Sequence, residues 1–263
     1  LLMSREILDR NPNQPGDFKM ASARGETYNY PRFKMSNYEL GYFPGPKAGE
    51  VANYEYSLTD LEGNEVKLSD YKDKWLVIES GSLTCPMYVK NVKSFAKLRG
   101  KHPDVEWLVV YVREAHPGEK AGQATTIDEK IGYAKRNKDE YSEKRRIAVD
   151  TLEGKWHHDW GLLPNMVYVI NPEGKVIYRA DWSFARHVDR VLQNRDKVHT
   201  DEHIAIIGAA PWITIPVTLK GGWLALFDIL IIFPKVYYEH FKLDIQTWWN
   251  KRNTGNQSAS ASE

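Results

Sequence analysis

The chain has 263 residues, with 36 basic and 35 acidic side chains and a net charge of +1. That balance lacks the basic excess of a nucleic-acid binder, and a single cysteine excludes both an intramolecular disulfide and a cysteine-rich zinc site. Apolar residues make up 42%, enough for one large packed domain with extensions. No basic-then-apolar leader opens the sequence and the thiol is unpaired, so the expected setting is a reducing cytoplasm.

Residues 1–48 are rich in Pro, Gly, Asn and Tyr and show no sustained period. They read as an irregular arm ending in the Pro44-Gly45-Pro46 loop, a domain boundary. The pattern is compact over 49–199. Tyr54–Leu58 and Val66–Leu68 form a predicted hairpin around Gly63-Asn64. Trp75–Ser80 is a continuous apolar run, as in a strand buried on both faces. Pro86–Leu98 is amphipathic, with Tyr88, Val92 and Phe95 on one face, and Gly100 is the predicted helix stop. A second buried strand follows over Glu106–Val112, then a helix over Thr126–Lys138 with a threonine cap and an acidic first turn.

RIAVDTLEGKWHHDWGLLP reads as a short strand, a short helix and a turn ending at Pro164. His157 and His158 are adjacent on that helix, so their side chains diverge by about 100° and structural roles are expected rather than metal binding. Met166–Ile170 and Lys175–Arg179 make another hairpin, and Phe184–Gln193 a closing helix. The element order β-β-β-α-β-α-β-α-β-β-α implies an α/β fold, a mixed β-sheet flanked by helices.

Residues 200–263 form an apolar, aromatic extension. Between 204 and 234 only Lys220 and Asp228 are charged, and Pro211, Pro216 and Gly221-Gly222 interrupt any run of about 20 apolar residues. The segment reads as a membrane-dipping element with Trp212 and Trp223 at the interface, an extra packed layer, or a subunit interface. Val236–Asn250 is amphipathic, and NTGNQSASASE is expected to be disordered.

The single cysteine, Cys85, lies in GSLTCP, between a buried strand and a helix. There a thiol meets the unsatisfied N–H groups and positive dipole end of the helix, both of which favour thiolate. Pro86 suits the first helical turn, and Ser82 and Thr84 are placed to donate hydrogen bonds to sulfur. The alternative is a small buried hydrophobe.

The stretch from about 49 to 195 resembles the thioredoxin-like superfamily in its redoxin branch, through SLTDLEGNEVKLSDYKDKWLVIESGSLTCP and AVDTLEGKWHHDWGLLPNMVYVINPEGKVIYR. More narrowly, GSLTCP followed by WLVVYVREAHPGE resembles the iodothyronine deiodinase family, with Cys85 at the selenocysteine position and Glu114-Ala115-His116-Pro117 matching the second motif. The resemblance implies reductive removal of iodide from an iodinated aromatic ring, with the thiolate of Cys85 attacking the halogen. It casts His116 as a substrate-binding or proton-moving partner and Glu114 as its orienter. It also implies a cis Leu163–Pro164 bond with Pro164 packed near Cys85. Tyr88 stands where a CxxC motif would place a second thiol, so an external thiol must act as reductant and no cofactor is called for. Two further readings stay open: a one-cysteine thiol peroxidase, with Ser82 in place of the usual threonine, and a non-catalytic redoxin-fold subunit of a membrane-associated or larger complex. The expected partners are therefore a small halogenated aromatic or peroxide, a thiol, a membrane surface or partner subunit at 204–250, and a second copy of the chain.

Overall fold

The computed structural model describes residues 28–37, 43–199 and 209–260. The expectations for 1–27, 38–42, 200–208 and 261–263 lie outside the described residues. A seven-stranded mixed sheet carries the fold, in the order β2-β1-β5-β4-β3-β6-β7. The strands are β1 (Ser57–Thr59), β2 (Glu65–Lys67), β3 (Trp75–Gly81), β4 (Val105–Tyr111), β5 (Arg146–Val149), β6 (Val167–Ile170) and β7 (Val176–Ala180). β3, β4 and β5 run parallel, and β6 and β7 extend the sheet antiparallel. Crossovers α1 (Pro86–Lys101) and α2 (Ile127–Tyr141) join the parallel strands. Short α3 (Lys155–Trp160) and closing α4 (Ala185–Leu192) complete the predicted order. This is the thioredoxin-like α/β arrangement.

β3 is central and buried on both faces, which explains its unbroken apolar run. One charged residue interrupts it. Glu79 is fully buried and accepts from Arg145 Nη1 at 2.5 Å and from Asn165 Nδ2 at 2.9 Å. Arg145 also forks onto Glu143, which accepts from the Tyr88 hydroxyl at 2.8 Å. The buried charges are thus paired and hydrogen-bonded, as burial in low dielectric demands.

α1 begins where the sequence says it should, with Pro86 in its first turn and Cys85 as extended N-cap. Tyr88, Val92, Phe95 and Leu98 give the buried stripe. Gly100 does not stop the helix, which runs on to Lys101. A glycine in helical conformation lowers stability without ending a helix. α2 is capped by Thr126, whose side chain accepts from Glu129 N, and ends at Ser142 in the left-handed region.

Two expectations fail on backbone grounds. None of the peptide bonds among the described residues is cis, so Leu163–Pro164 is trans. The chain reverses earlier, through Gly161 at φ 144° and Leu162 at φ 60°. The Leu163 carbonyl is then held by Ser80 Oγ at 3.2 Å and His157 Nε2 at 2.9 Å. The C-terminal sequence is also not left as coil. α5 (Pro211–Gly221) is followed by α6 (Trp223–Ser260), which carries on through NTGNQSAS. No proline after Pro234 interrupts it. No helix among the described residues is long and apolar enough to cross a membrane.

α5 and α6 dock on the domain at the end of the sheet that carries Cys85. The contact is close because it is made by backbone. Lys120 N donates to Gly221 O at 2.8 Å, and a Cβ on Gly221 would sit 2.4 Å from His116 O. Glu119 caps α6 by accepting from Trp223 N at 2.6 Å and Leu224 N at 3.1 Å. Lys220 pairs with Glu140 at 2.5 Å, and Arg32 Nε reaches Asp228 Oδ2 at 2.6 Å.

Candidate active site

The two sequence motifs meet at the C-terminal ends of β3 and β4, where parallel pairing sets Gly81 beside Tyr111. Gly81 has to be glycine: a Cβ there would lie 2.4 Å from the Tyr88 ring. Beyond it, the GSLTCP loop and the EAHP loop are laced together. Thr84 N and Thr84 Oγ1 donate to Glu114 Oε2 at 3.0 and 2.6 Å. Ser82 Oγ accepts from Ala115 N at 3.2 Å, and Thr84 Oγ1 accepts from His116 N at 3.0 Å. Tyr111 donates to the other oxygen of Glu114, and Gln123 brackets the Glu114 backbone with two bonds of 2.8 Å.

Ser82 and Thr84 therefore spend their hydroxyls on the second loop, not on sulfur, which corrects the sequence expectation. Their physical task is to satisfy the buried N–H groups and carboxylate that would otherwise be stranded. Glu114 holds the two loops together. Its carboxylate engages Thr84 and Tyr111, so the positioning of His116 comes through the Thr84 hydroxyl. Burial pushes the Glu114 carboxyl up from its usual range, opposed by the hydrogen bonds from Thr84 and Tyr111.

Cys85 and His116 line one cavity of about 100 Å³, together with Phe33, Pro164 and Trp182. Pro164 lines the same cavity as Cys85, and its peptide bond is trans. α6 supplies the roof through Ile229, Phe233, Tyr237 and His240. Sequence reasoning missed this contribution. The apolar period of the tail was visible, but nothing in it says which face turns toward Cys85. The Phe33 ring meets the His116 ring edge-on at 4.6 Å, and Tyr30 donates to Ala115 O at 3.0 Å, so the N-terminal arm also closes over the site.

The roof changes the electrostatics. Cys85 is only 1% exposed. Burial pushes its thiol up to about 12, against the lowering pull of the Met87 and Tyr88 N–H groups at the start of α1. The helix terminus does favour thiolate, as expected, but desolvation wins. Burial likewise pushes His116 down to about 4, so its imidazole is neutral near pH 7, and Nδ1 is buried without a hydrogen-bond partner. His157 is a structural residue, bonded to Leu163 O and to the Tyr28 hydroxyl at 3.0 Å. No cluster of metal-ligating side chains occurs among the described residues.

The iodothyronine deiodinase family model matches residues 3–197. The chain belongs to the iodothyronine deiodinase family. It is 25% identical over 133 residues to a type II iodothyronine deiodinase from Fundulus heteroclitus, a match covering 44% of this chain and 50% of that protein. The chain therefore spans about half the length of that curated relative. Among solved structures it is similar to a secreted Mycobacterium tuberculosis disulfide oxidoreductase, with 12% identity and a TM-score of 0.44 over 54% of this chain and 96% of that one. A thioredoxin-like protein from Aeropyrum pernix gives 12% identity and a TM-score of 0.44 over 54% and 89%. The segment matched by the family model contains both of the loops that Thr84 and Glu114 bind together.

Proposed function

We propose that this chain is a thiol-dependent reductive dehalogenase of iodinated or otherwise halogenated aromatic rings, with Cys85 as nucleophile and His116 as proton carrier. The observation that carries the reading is that Cys85 and His116, whose Nδ1 is buried without a hydrogen-bond partner, line one largely apolar cavity. The cavity is smaller than the roughly 300–1,000 Å³ of drug-sized sites, so it suits a single ring, and a two-ring ligand requires α6 to shift.

The cycle starts from the protonation states that burial favours, a thiol and a neutral imidazole. His116 takes the thiol proton as sulfur attacks the ring iodine. The carbon–iodine bond breaks, an S–I bond forms, and the carbon keeps the bonding pair and receives the proton from His116. An external thiol then attacks sulfur, iodide leaves and a mixed disulfide forms. A second thiol frees Cys85. The aryl iodide is reduced to aryl hydrogen and iodide, while two thiols are oxidised to a disulfide. With one cysteine in the chain, no internal resolving step exists. While the roof is shut, proton transfer from a thiol near 12 to an imidazole near 4 is costly, so turnover requires ligand entry or α6 movement to rehydrate the pair.

The outer face of α6 fits docking on a lipid surface. Trp223, Phe227, Leu230, Tyr238, Phe241 and Trp248 are exposed along it at helical spacing. Lys235 and Lys242 flank that face. The reading places a cytoplasmic enzyme at a membrane surface.

The test is consumption of 2,6-diiodophenol and of hydrogen peroxide with dithiothreitol, by wild type and Cys85→Ser. Iodide release by wild type alone supports the reading. Peroxide consumption alone would make the protein a one-cysteine peroxidase. Neither activity would leave the covered Cys85 as part of a non-catalytic scaffold.

A further inference from the structure

The family model ends at residue 197, yet much of the wall a ligand would meet comes from α6, which begins at Trp223. The matched segment furnishes the sulfur and His116. α6 furnishes Ile229, Phe233, Tyr237 and His240. Of these, His240 is the polar group deepest in the fold, 4% exposed, with its ring edge-on to Trp182 at 5.6 Å. Two imidazoles thus share a largely apolar cavity, one on the EAHP loop and one on the roof. A cavity of that composition takes a ligand with an apolar ring and a polar substituent. His116 Nδ1, buried and without a hydrogen-bond partner, marks the polar side of the site.

We infer that His240 is a ligand-binding residue which hydrogen-bonds the ring hydroxyl, so that α6 selects phenols over aryl halides lacking that group. The inference rests on the dehalogenase reading for its ligand class, but it is a statement about binding. It makes specificity a property of the C-terminal extension, outside the segment that this chain shares with its family. The Phe233 and Tyr237 rings meet at a tilt with centroids 4.4 Å apart on the same wall and supply the apolar contact that both kinds of ring enjoy.

The experiment is calorimetric titration of the full chain in the Cys85→Ser background, which binds without turnover. The two probes are 2,6-diiodophenol and 2,6-diiodoanisole, in which a methyl group replaces the hydroxyl proton and removes the donor. His240→Ala is expected to weaken the phenol about ten-fold, the loss of one buried hydrogen bond, and to leave the anisole unchanged. His240→Gln, which keeps a donor and much of the volume, is expected to recover part of the phenol affinity. Equal loss for both probes, loss for neither, or no saturable phenol binding with His240 intact would each overturn the inference. Iodide release by the Cys85-intact protein judges the dehalogenase reading separately. A phenol preference that depends on His240 without iodide release would sink that reading alone, and iodide release without the preference would sink only this inference.

Discussion

The Thr84 hydroxyl donates to Glu114 Oε2 at 2.6 Å while accepting the His116 N–H at 3.0 Å. One side chain therefore ties the residue before the cysteine to both polar members of the second motif. Thr84→Val keeps the shape and removes the hydroxyl, leaving Glu114 Oε2 with the Thr84 N–H alone and the buried His116 N–H without its partner. We expect a loss of about 2 kcal/mol in denaturant unfolding and a fall in iodide release. Serine at the same position should recover most of both. An unchanged unfolding midpoint for the valine variant would contradict the clasp.

Cys85 should behave as a buried thiol. With its titration pushed up to about 12, alkylation by iodoacetamide should rise with pH through 7–10 without levelling off. A plateau below pH 8 would mean that the helix terminus outweighs desolvation in solution.

The roof is pinned in part by the Arg32–Asp228 ion pair, which links the N-terminal arm to α6. Arg32→Ala should loosen α6 and speed Cys85 alkylation several-fold at constant pH. High salt should act in the same direction on the wild type, because Arg32 is partly exposed and screened. No change in either case would show that backbone contacts at Gly221 hold the roof alone.

His116 links the site to acid stability. Its folded value near 4 lies below the unfolded 6.5, so the unfolded chain binds the extra proton first. Stability from this group is present above pH 6.5 and is lost as pH falls toward 4, by up to about 3 kcal/mol. Buried His157 is displaced in the same direction and adds to the slope. His116→Gln should flatten part of the decline in Tm between pH 6.5 and 4. An identical pH profile would mean that His116 is hydrated in solution.

Vesicle sedimentation tests the outer face of α6. The full chain should pellet with phosphatidylglycerol-containing vesicles, and Phe227→Ser with Phe241→Ser should release it. A protein that stays in the supernatant yet sediments as a dimer would assign the face to a second copy.

Much of this architecture could be read from the residues. Continuous apolar runs at β3 and β4, the Thr126 cap and the Pro86 helix start each follow from local chemistry that tertiary structure did not override. The juxtaposition of GSLTCP and EAHP was legible only through family resemblance, since no periodicity says that residues 30 apart will exchange hydrogen bonds. Three things were not legible. The destination of the Ser82 and Thr84 hydroxyls depends on which buried groups need partners. The turn before Pro164 depends on left-handed Gly161 and Leu162, and the second is not a residue that announces such a φ. The sulfur's protonation depends on α6, more than 130 residues along the chain, folding back over it.

In the proposed reaction Cys85 takes iodine from an aromatic ring. The most direct measurement is a single turnover, with enzyme in excess over 2,6-diiodophenol and no reductant, quenched and resolved for 2-iodophenol and for free iodide. The proposed reaction predicts 2-iodophenol up to one equivalent of the limiting 2,6-diiodophenol before any thiol is added, with iodide appearing only when thiol follows. It predicts neither product from Cys85→Ser. Absence of 2-iodophenol until thiol is present, or equal amounts from the serine variant, would contradict it.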